Sequence, residues 1–144
     1  GLHYFERGDY RGATQYLQKA LEMAPDDSLA MNILALTHWR QGETEEALGL
    51  LDRAQSAHPE FIPSYVNCAL ILRGEAGLAY LDAALRLDPG RENTWLMKGA
   101  LHLELGDTTS ALEAFTRASL INPRNPRTRH VVGILESRNG RGER

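Results

Sequence analysis

Apolar residues recur along this chain at the three- and four-residue spacing of an α-helix, in runs broken by glycine and proline. Leu29, Ile33, Leu34 and Leu36 form one run, which ends near Gln41-Gly42. Ala47, Leu48, Leu50, Leu51 and Ala54 form the next, which stops before Pro59. The same grammar returns at Trp95, Leu96, Gly99 and Leu103, then Leu105-Gly106-Asp107, then Ala111, Leu112, Phe115 and Ala118. Each pair of runs predicts two helices joined by a tight turn. Gly42 suits the end of the first helix because glycine takes a positive φ at little cost. Glu43, Glu45 and Glu46 sit where a helix dipole favours negative charge. Asp107 is a good N-cap for the helix that follows it, and Pro59 cannot continue a helix interior. Asp26-Asp27-Ser28 and Arg124-Asn125-Pro126 offer further caps. The second of these opens a last helix, about 127–138, with Val131, Val132, Ile134 and Leu135 turned to its neighbour. Arg127, Arg129, Glu136 and Arg138 give that helix a polar outer side, as an array-capping helix needs.

These helix pairs are copies. Pro25, Pro59, Pro89 and Pro123 close the phrases KALEMAP, RAQSAHP, AALRLDP and RASLINP, 34, 30 and 34 residues apart. A fixed period of this size means stacked copies of one small unit, and with it an extended binding surface in preference to one deep active site. Ala20, Ala54, Ala84 and Ala118 share one slot; Ala13, Ala47 and Ala111 share another; Leu17, Leu51, Leu81 and Phe115 fill the gap between. Alternating small and large residues lets helices approach closely.

Charge narrows the function. Residues 1–123 hold 10 Lys/Arg against 17 Asp/Glu, whereas residues 124–144 hold 6 Arg against 2 Glu. The array is therefore a poor nucleic-acid surface, and the basic end is expected to be a solvated terminus. No apolar run approaches the roughly 18 residues of a membrane-spanning helix. The single cysteine, Cys68, excludes an internal disulfide and a cysteine metal cluster, and is compatible with a reducing compartment such as the cytoplasm.

The spaced residues identify the pattern. Trp95, Gly99, Gly106, Ala111, Phe115, Ala118 and Pro123 in the last full copy resemble the tetratricopeptide repeat (TPR). So do Gly1, Tyr4, Gly8-Asp9-Tyr10, Ala13, Leu17, Ala20 and Pro25 in the first, and Met31, Leu34-Ala35, Gly42, Ala47, Leu51, Ala54 and Pro59 in the second. The resemblance implies an all-α, right-handed α-solenoid of helix-turn-helix repeats. A partial repeat is expected at about 1–27, a full one at 28–61, a shortened one at 62–91 and another full one at 92–125. A capping helix at 126–139 and a basic tail at 140–144 complete the expected array. Residue 1 falls inside a repeat, so the chain is expected to be an excerpt of a longer protein. The third repeat lacks four residues, placed around Leu72-Arg73-Gly74-Glu75, and Gly77 stands there for the usual alanine. Lys98 occupies a normally apolar slot, where its stem can pack while its ammonium reaches water.

In such proteins the first helices of successive repeats line a concave groove. Mapped slot by slot, the resemblance implies a partner-binding set of Asn32, Ile33, Leu36, Trp39, Arg40, Val66, Asn67, Leu70, Arg73, Asn93, Leu96, Met97, Ala100 and Leu103. Leu29, Glu104, His130, Val131 and Ile134 lie at further slots of the same kind. The lining is mostly apolar, which suits an apolar peptide or amphipathic helix; Asn32 and Asn67 would bind the peptide backbone. The Lys/Arg-and-Asn slots with which one TPR subtype grips a C-terminal carboxylate hold mainly Ile33, Leu36 and Leu70, so that mode is not expected.

Catalytic signatures are missing from the sequence. There is no phosphate-binding GxxxxGK[ST], no GxGxxG, GxSxG or HExxH. His38 and His102 are expected to pack at helix interfaces, and Cys68 to be a buried, inert thiol. The expected protein is a non-catalytic scaffold or adaptor, without cofactor or metal, whose partner is another protein, with self-association as a further outcome. The alternative is a TPR targeting or regulatory module of a larger enzyme, such as a glycosyltransferase or methyltransferase.

Overall fold

The computed structural model describes residues 10–140. The front of the first expected repeat, residues 1–9, and the end of the basic tail, 141–144, lie outside the described residues. Among those described, the chain forms helices and no strands. In chain order they are α1 (Tyr10–Met23), α2 (Ser28–Arg40), α3 (Thr44–Ala57) and α4 (Ile62–Leu72). Then come α5 (Gly74–Leu87), α6 (Glu92–Glu104), α7 (Thr108–Ile121) and α8 (Pro126–Gly140). The fold divides into two compact units, Gly1–Ile71 and Leu72–Arg144.

Unit 1 packs α2 against both α1 and α3. Its core is built from Ala13, Leu17, Ala30, Leu34, Ala35, Ala47, Leu51 and Ala54, all buried. Unit 2 packs α5 on α6, α6 on α7 and α7 on α8, around Leu81, Ala84, Leu101, Ala111, Phe115, Ala118 and Leu135. Burying each of the large side chains stabilises by roughly 1.5–3 kcal/mol. The closest approach explains one glycine: a Cβ added at Gly99 would lie 2.7 Å from the Phe115 ring. Only a residue without a side chain lets α6 and α7 meet around that ring.

The turns form as the local sequence dictates. Gly42 (φ 83°) and Gly106 (φ 79°) adopt the left-handed conformation. The Glu43 N–H donates to His38 O at 2.9 Å and the Gly42 N–H to Trp39 O at 2.9 Å. In unit 2 Asp107 N–H to His102 O (2.9 Å) and Gly106 N–H to Leu103 O (3.0 Å) repeat the arrangement. Both are Schellman motifs, which satisfy the last carbonyls of the helix. Asp27 caps α2 through the Ala30 N–H (3.1 Å), Asp107 caps α7 through the Ser110 N–H (3.0 Å), and Asn125 caps α8 through the Arg127 N–H (3.0 Å).

A second regularity accompanies two of the periodic prolines. Tyr65 Oη donates to Pro59 O at 2.6 Å, and Trp95 Nε1 donates to Pro89 O at 2.7 Å. In both units an aromatic polar tip six residues on satisfies the carbonyl of the repeat-closing proline.

The shortened repeat loses its four residues in two places. α4 has 11 residues where α2 and α6 have 13, and one residue, Arg73, separates α4 from α5 where three separate the other pairs. Arg73 pays for the short turn with φ 54°, ψ −166°, a conformation that is essentially glycine's and costs on the order of 1–3 kcal/mol.

Candidate partner-binding faces

In unit 1 the first helices, α2 and α4, are nearly uncharged. α4 (IPSYVNCALIL) carries no charged residue, and α2 (SLAMNILALTHWR) carries only its terminal Arg40 besides His38. Ile33, Leu36 and Trp39 on α2, and Val66, Asn67 and Leu70 on α4, are half-buried, while Arg40 is exposed. Leu29 is 60% exposed.

Asn32 departs from its expected role. It is 3% exposed, and its amide nitrogen donates to Ser28 O (2.8 Å) and Ser64 Oγ (3.1 Å). Its Oδ1 accepts from Asn67 Nδ2 at 2.9 Å. Asn32 therefore ties α2 to α4 from within. Leaving a buried amide unmet costs more than a typical hydrogen bond gains, so these partners hold Asn32 in place.

Unit 2 carries its polar groups differently. Asn93 and Leu103 on α6 are exposed; Leu96, Met97 and Ala100 are half-buried. Arg73 forms a two-point pair with Glu104: Nε donates to Oε2 at 3.1 Å and the second guanidinium nitrogen to Oε1. The hydrogen bond from Arg73 holds the Glu104 carboxyl below its usual range and raises Arg73. Lys98 reaches not only water but Asp82 on α5, at 2.9 Å. Its ammonium lies 5.5 Å from the centre of the Trp95 ring, and the Arg117 guanidinium lies 5.8 Å from it. Both distances fit cation–π attraction.

His38 and His102 pack at the helix ends, each facing the acid that opens the next helix: Nδ1 lies 2.9 Å from Glu43 and 3.8 Å from Asp107. Among the described residues no group of three or more His, Cys, Asp or Glu is placed to hold a metal. Cys68 is buried, with Gln55 Nε2 donating to its sulfur at 3.1 Å. Burial pushes its thiol up to about 11, away from nucleophile chemistry at neutral pH. No described helix is long and apolar enough to cross a membrane.

One feature the sequence reading did not pick out is a cleft of about 550 Å³ in unit 1 between α1, α2 and α3. It is lined by Leu21, Leu34, His38, Glu46, Leu50 and Arg53, and opens where Gly49 carries no side chain. A glycine inside an otherwise helical run was its only signal.

A family model described as tetratricopeptide repeat matches residues 1–60 and 73–126. The unmatched stretch between them contains the shortened α4. The TPR repeat-containing protein MJ1428 of Methanocaldococcus jannaschii is 24% identical over 151 residues; the match covers 95% of this chain and 26% of that relative, so the chain spans about a quarter of its length. Among solved structures, one described as the functional characterization of Pseudomonas aeruginosa pilF superposes with a TM-score of 0.86 at 24% identity, covering 98% of this chain and 66% of that one. Another, the first TPR of Spaghetti (RPAP3) bound to the HSP90 peptide SRMEEVD, superposes with a TM-score of 0.70 at 15% identity, covering 78% of this chain and 93% of that one. These likenesses show the fold, the all-α helix-hairpin fold of TPR solenoid proteins.

Proposed function

The chain belongs to the tetratricopeptide repeat family, and from that premise we propose that it is a non-catalytic docking module that holds a partner protein on the faces of its first helices. TPR repeats typically mediate protein–protein interaction, and a structural neighbour is seen with a peptide bound. The observation that carries the reading is the composition of α2 and α4. A helix that is apolar all round needs cover on two sides. The unit 1 core covers one side, and Ile33, Leu36, Trp39, Val66 and Leu70 remain half-buried on first helices that carry almost no charge. Their occupant is an apolar peptide or one side of an amphipathic helix. Unit 2 adds Leu96, Met97 and Leu103 beside the Arg73–Glu104 pair, a mixed surface that favours a partner with both apolar and polar groups.

The experiment is affinity capture from the source cells with the wild-type chain, Leu70→Glu and Leu36→Glu in parallel. Loss of the same partner from both variants, with helical circular dichroism unchanged, is the expected result. Equal capture by all three removes the first-helix faces from consideration.

A further inference from the structure

We propose that the cleft between α1, α2 and α3 is a second docking site, which takes a lysine side chain from a basic segment of a partner protein. The inference is independent of the first-helix reading above. The cleft is walled mainly by α1 and α3, and its occupant is cationic, whereas the first-helix faces suit an apolar one.

The same three-helix slot occurs twice in the chain. α1, α2 and α3 start at Tyr10, Ser28 and Thr44, and α5, α6 and α7 start 64 residues later, at Gly74, Glu92 and Thr108. Gln18 and Leu34 of the unit 1 slot therefore correspond to Asp82 and Lys98 of unit 2. In unit 2 the Lys98 stem crosses from α6 to α5, and its ammonium meets Asp82 at 2.9 Å. Gln18 and Leu34 carry no charge and make no such crossing. Their space stands open as the cleft of about 550 Å³, within the roughly 300–1,000 Å³ of ligand clefts. No residue of α4 lines it, so the helix that follows α3 does not cover it. In unit 2 the helix after α7 likewise packs elsewhere, on Ala111 and Phe115.

Gly49, the sixth residue of α3, keeps the mouth of the cleft clear. The equivalent helix positions hold Gln15 in α1, Ala79 in α5 and Glu113 in α7. Nothing lies within 4 Å of a Cβ added at Gly49, so no packing within the chain demands a glycine. In a helix interior glycine is destabilising relative to alanine. Close approach of a ligand to the backbone is a use that such a glycine serves.

Floor and rim select the occupant. Leu21, Leu34 and Leu50 give the cleft an apolar floor, which suits an alkyl stem whose charged end stays in water. Glu22 and Glu46, both exposed, line it against one base, Arg53. Among the described residues no ion pair engages these three, and His38 is already turned to Glu43. The surroundings carry the same sign: residues 10–71 hold 4 Lys/Arg against 8 Asp/Glu, so a positive segment is attracted and an acidic one repelled. A partner's lysine thus brings to unit 1 what Lys98 provides from within unit 2, an alkyl stem in the slot and an ammonium beside a carboxylate.

The probe is a fluorescein-labelled peptide, Gly-Leu-Lys-Leu-Lys-Gly, titrated with the full chain and read by anisotropy. Saturable binding is expected. Norleucine in place of both peptide lysines keeps the stem and removes the charge, and should weaken binding at least tenfold. Gly49→Phe, which fills the mouth of the cleft, should weaken it as much. Glu22→Gln/Glu46→Gln should weaken it severalfold and flatten its dependence on salt. Gln18→Asp/Leu34→Lys gives unit 1 the crossing pair of unit 2 and should abolish binding. Leu120→Ala, at an exposed position of unit 2, should leave the affinity within about twofold. Each variant is checked by circular dichroism, and Gly49→Phe alters an exposed residue, so it decides the matter if the Gln18/Leu34 variant does not fold. Absence of saturation up to millimolar chain, or equal affinity for wild type and Gly49→Phe, or for the lysine and norleucine peptides, overturns the proposal. Self-association that Gly49→Phe abolishes, with no peptide binding, assigns the cleft to a second copy and also overturns it.

Discussion

The fifth residue of the first helix is Asn32 in unit 1 and Leu96 in unit 2. Asn32 is buried and joins Ser28, Ser64 and Asn67 in one amide network. Leu96 is half-buried and apolar, and unit 2 places its polar contacts at the edges, in Lys98–Asp82 and Arg73–Glu104. Neighbouring helix pairs are thus tied in two ways. Buried amides depend on geometry and little on salt; edge ion pairs are exposed, screened and titratable. The outward consequence is equally different. Unit 1 keeps its polar locks beneath the surface, so its first-helix face stays apolar. Unit 2 wears its locks on the outside and presents a mixed face.

The contrast can be broken at the slot the units share, that of Leu51 and Phe115. Leu51→Ala should cost about 2–5 kcal/mol and Phe115→Ala about 3–5 kcal/mol in urea unfolding, because each leaves a cavity in a packed core. A smaller loss for Phe115→Ala than for Leu51→Ala would mean that the space beside Gly99 collapses readily. Next in size is Asn32→Ala, expected to cost about 1–3 kcal/mol by stranding Ser64 and Asn67. Its cost should persist in 1 M NaCl. Lys98→Ala, the unit 2 counterpart, should cost no more than about 1 kcal/mol and lose most of that in the same salt. Equal salt sensitivity of the two variants would erase the distinction.

The smallest effect is in the acid limb. Hydrogen bonds from Asn125 hold down Glu92, from Arg73 hold down Glu104, and from Ser110 hold down Asp107. A carboxyl depressed in the folded state binds fewer protons than in the unfolded chain. Its contribution is therefore complete above the unfolded value, near 4.5 for Glu and 3.8 for Asp, and is lost as pH falls through the depressed native values. The triple variant Glu92→Gln, Glu104→Gln, Asp107→Asn should be less stable than wild type at pH 7, with the gap closing below about pH 4. A gap that stays constant down to pH 2 would show that these hydrogen bonds do not discriminate the ionised form.

Local chemistry was legible in the sequence. Gly42 as a helix end and Asp107 as a cap act within one turn, so spacing identified them, and it narrowed two further caps to Asp26-Asp27-Ser28 and Arg124-Asn125-Pro126, within which Asp27 and Asn125 serve. The helix pairs and their small and large core slots followed from the period. What escaped was contact between residues about thirty apart: Asn32 with Ser64 and Asn67, Arg73 with Glu104, Asn122 and Asn125 with Glu92. Nothing in a linear pattern says which amide on an apolar helix turns inward. That is why Asn32, placed by its slot among the ligand-facing residues, proved to be an internal tie. Lys98 was seen as a misfit in an apolar slot, but Asp82, which pairs with it, lies sixteen residues back on another helix.

On the proposed reading, the apolar partner docks on the first helices and not on the second. A photoreactive benzoylphenylalanine placed in turn at Leu36, Leu70 and Leu103, and at Tyr16 and Leu120, tests it in the source cells. Tyr16 and Leu120 are more exposed, at 59% and 73%, so exposure alone would favour them. One partner is expected to cross-link from the first three positions and not from the last two. Cross-linking of that partner from Tyr16 and Leu120 alone would contradict it.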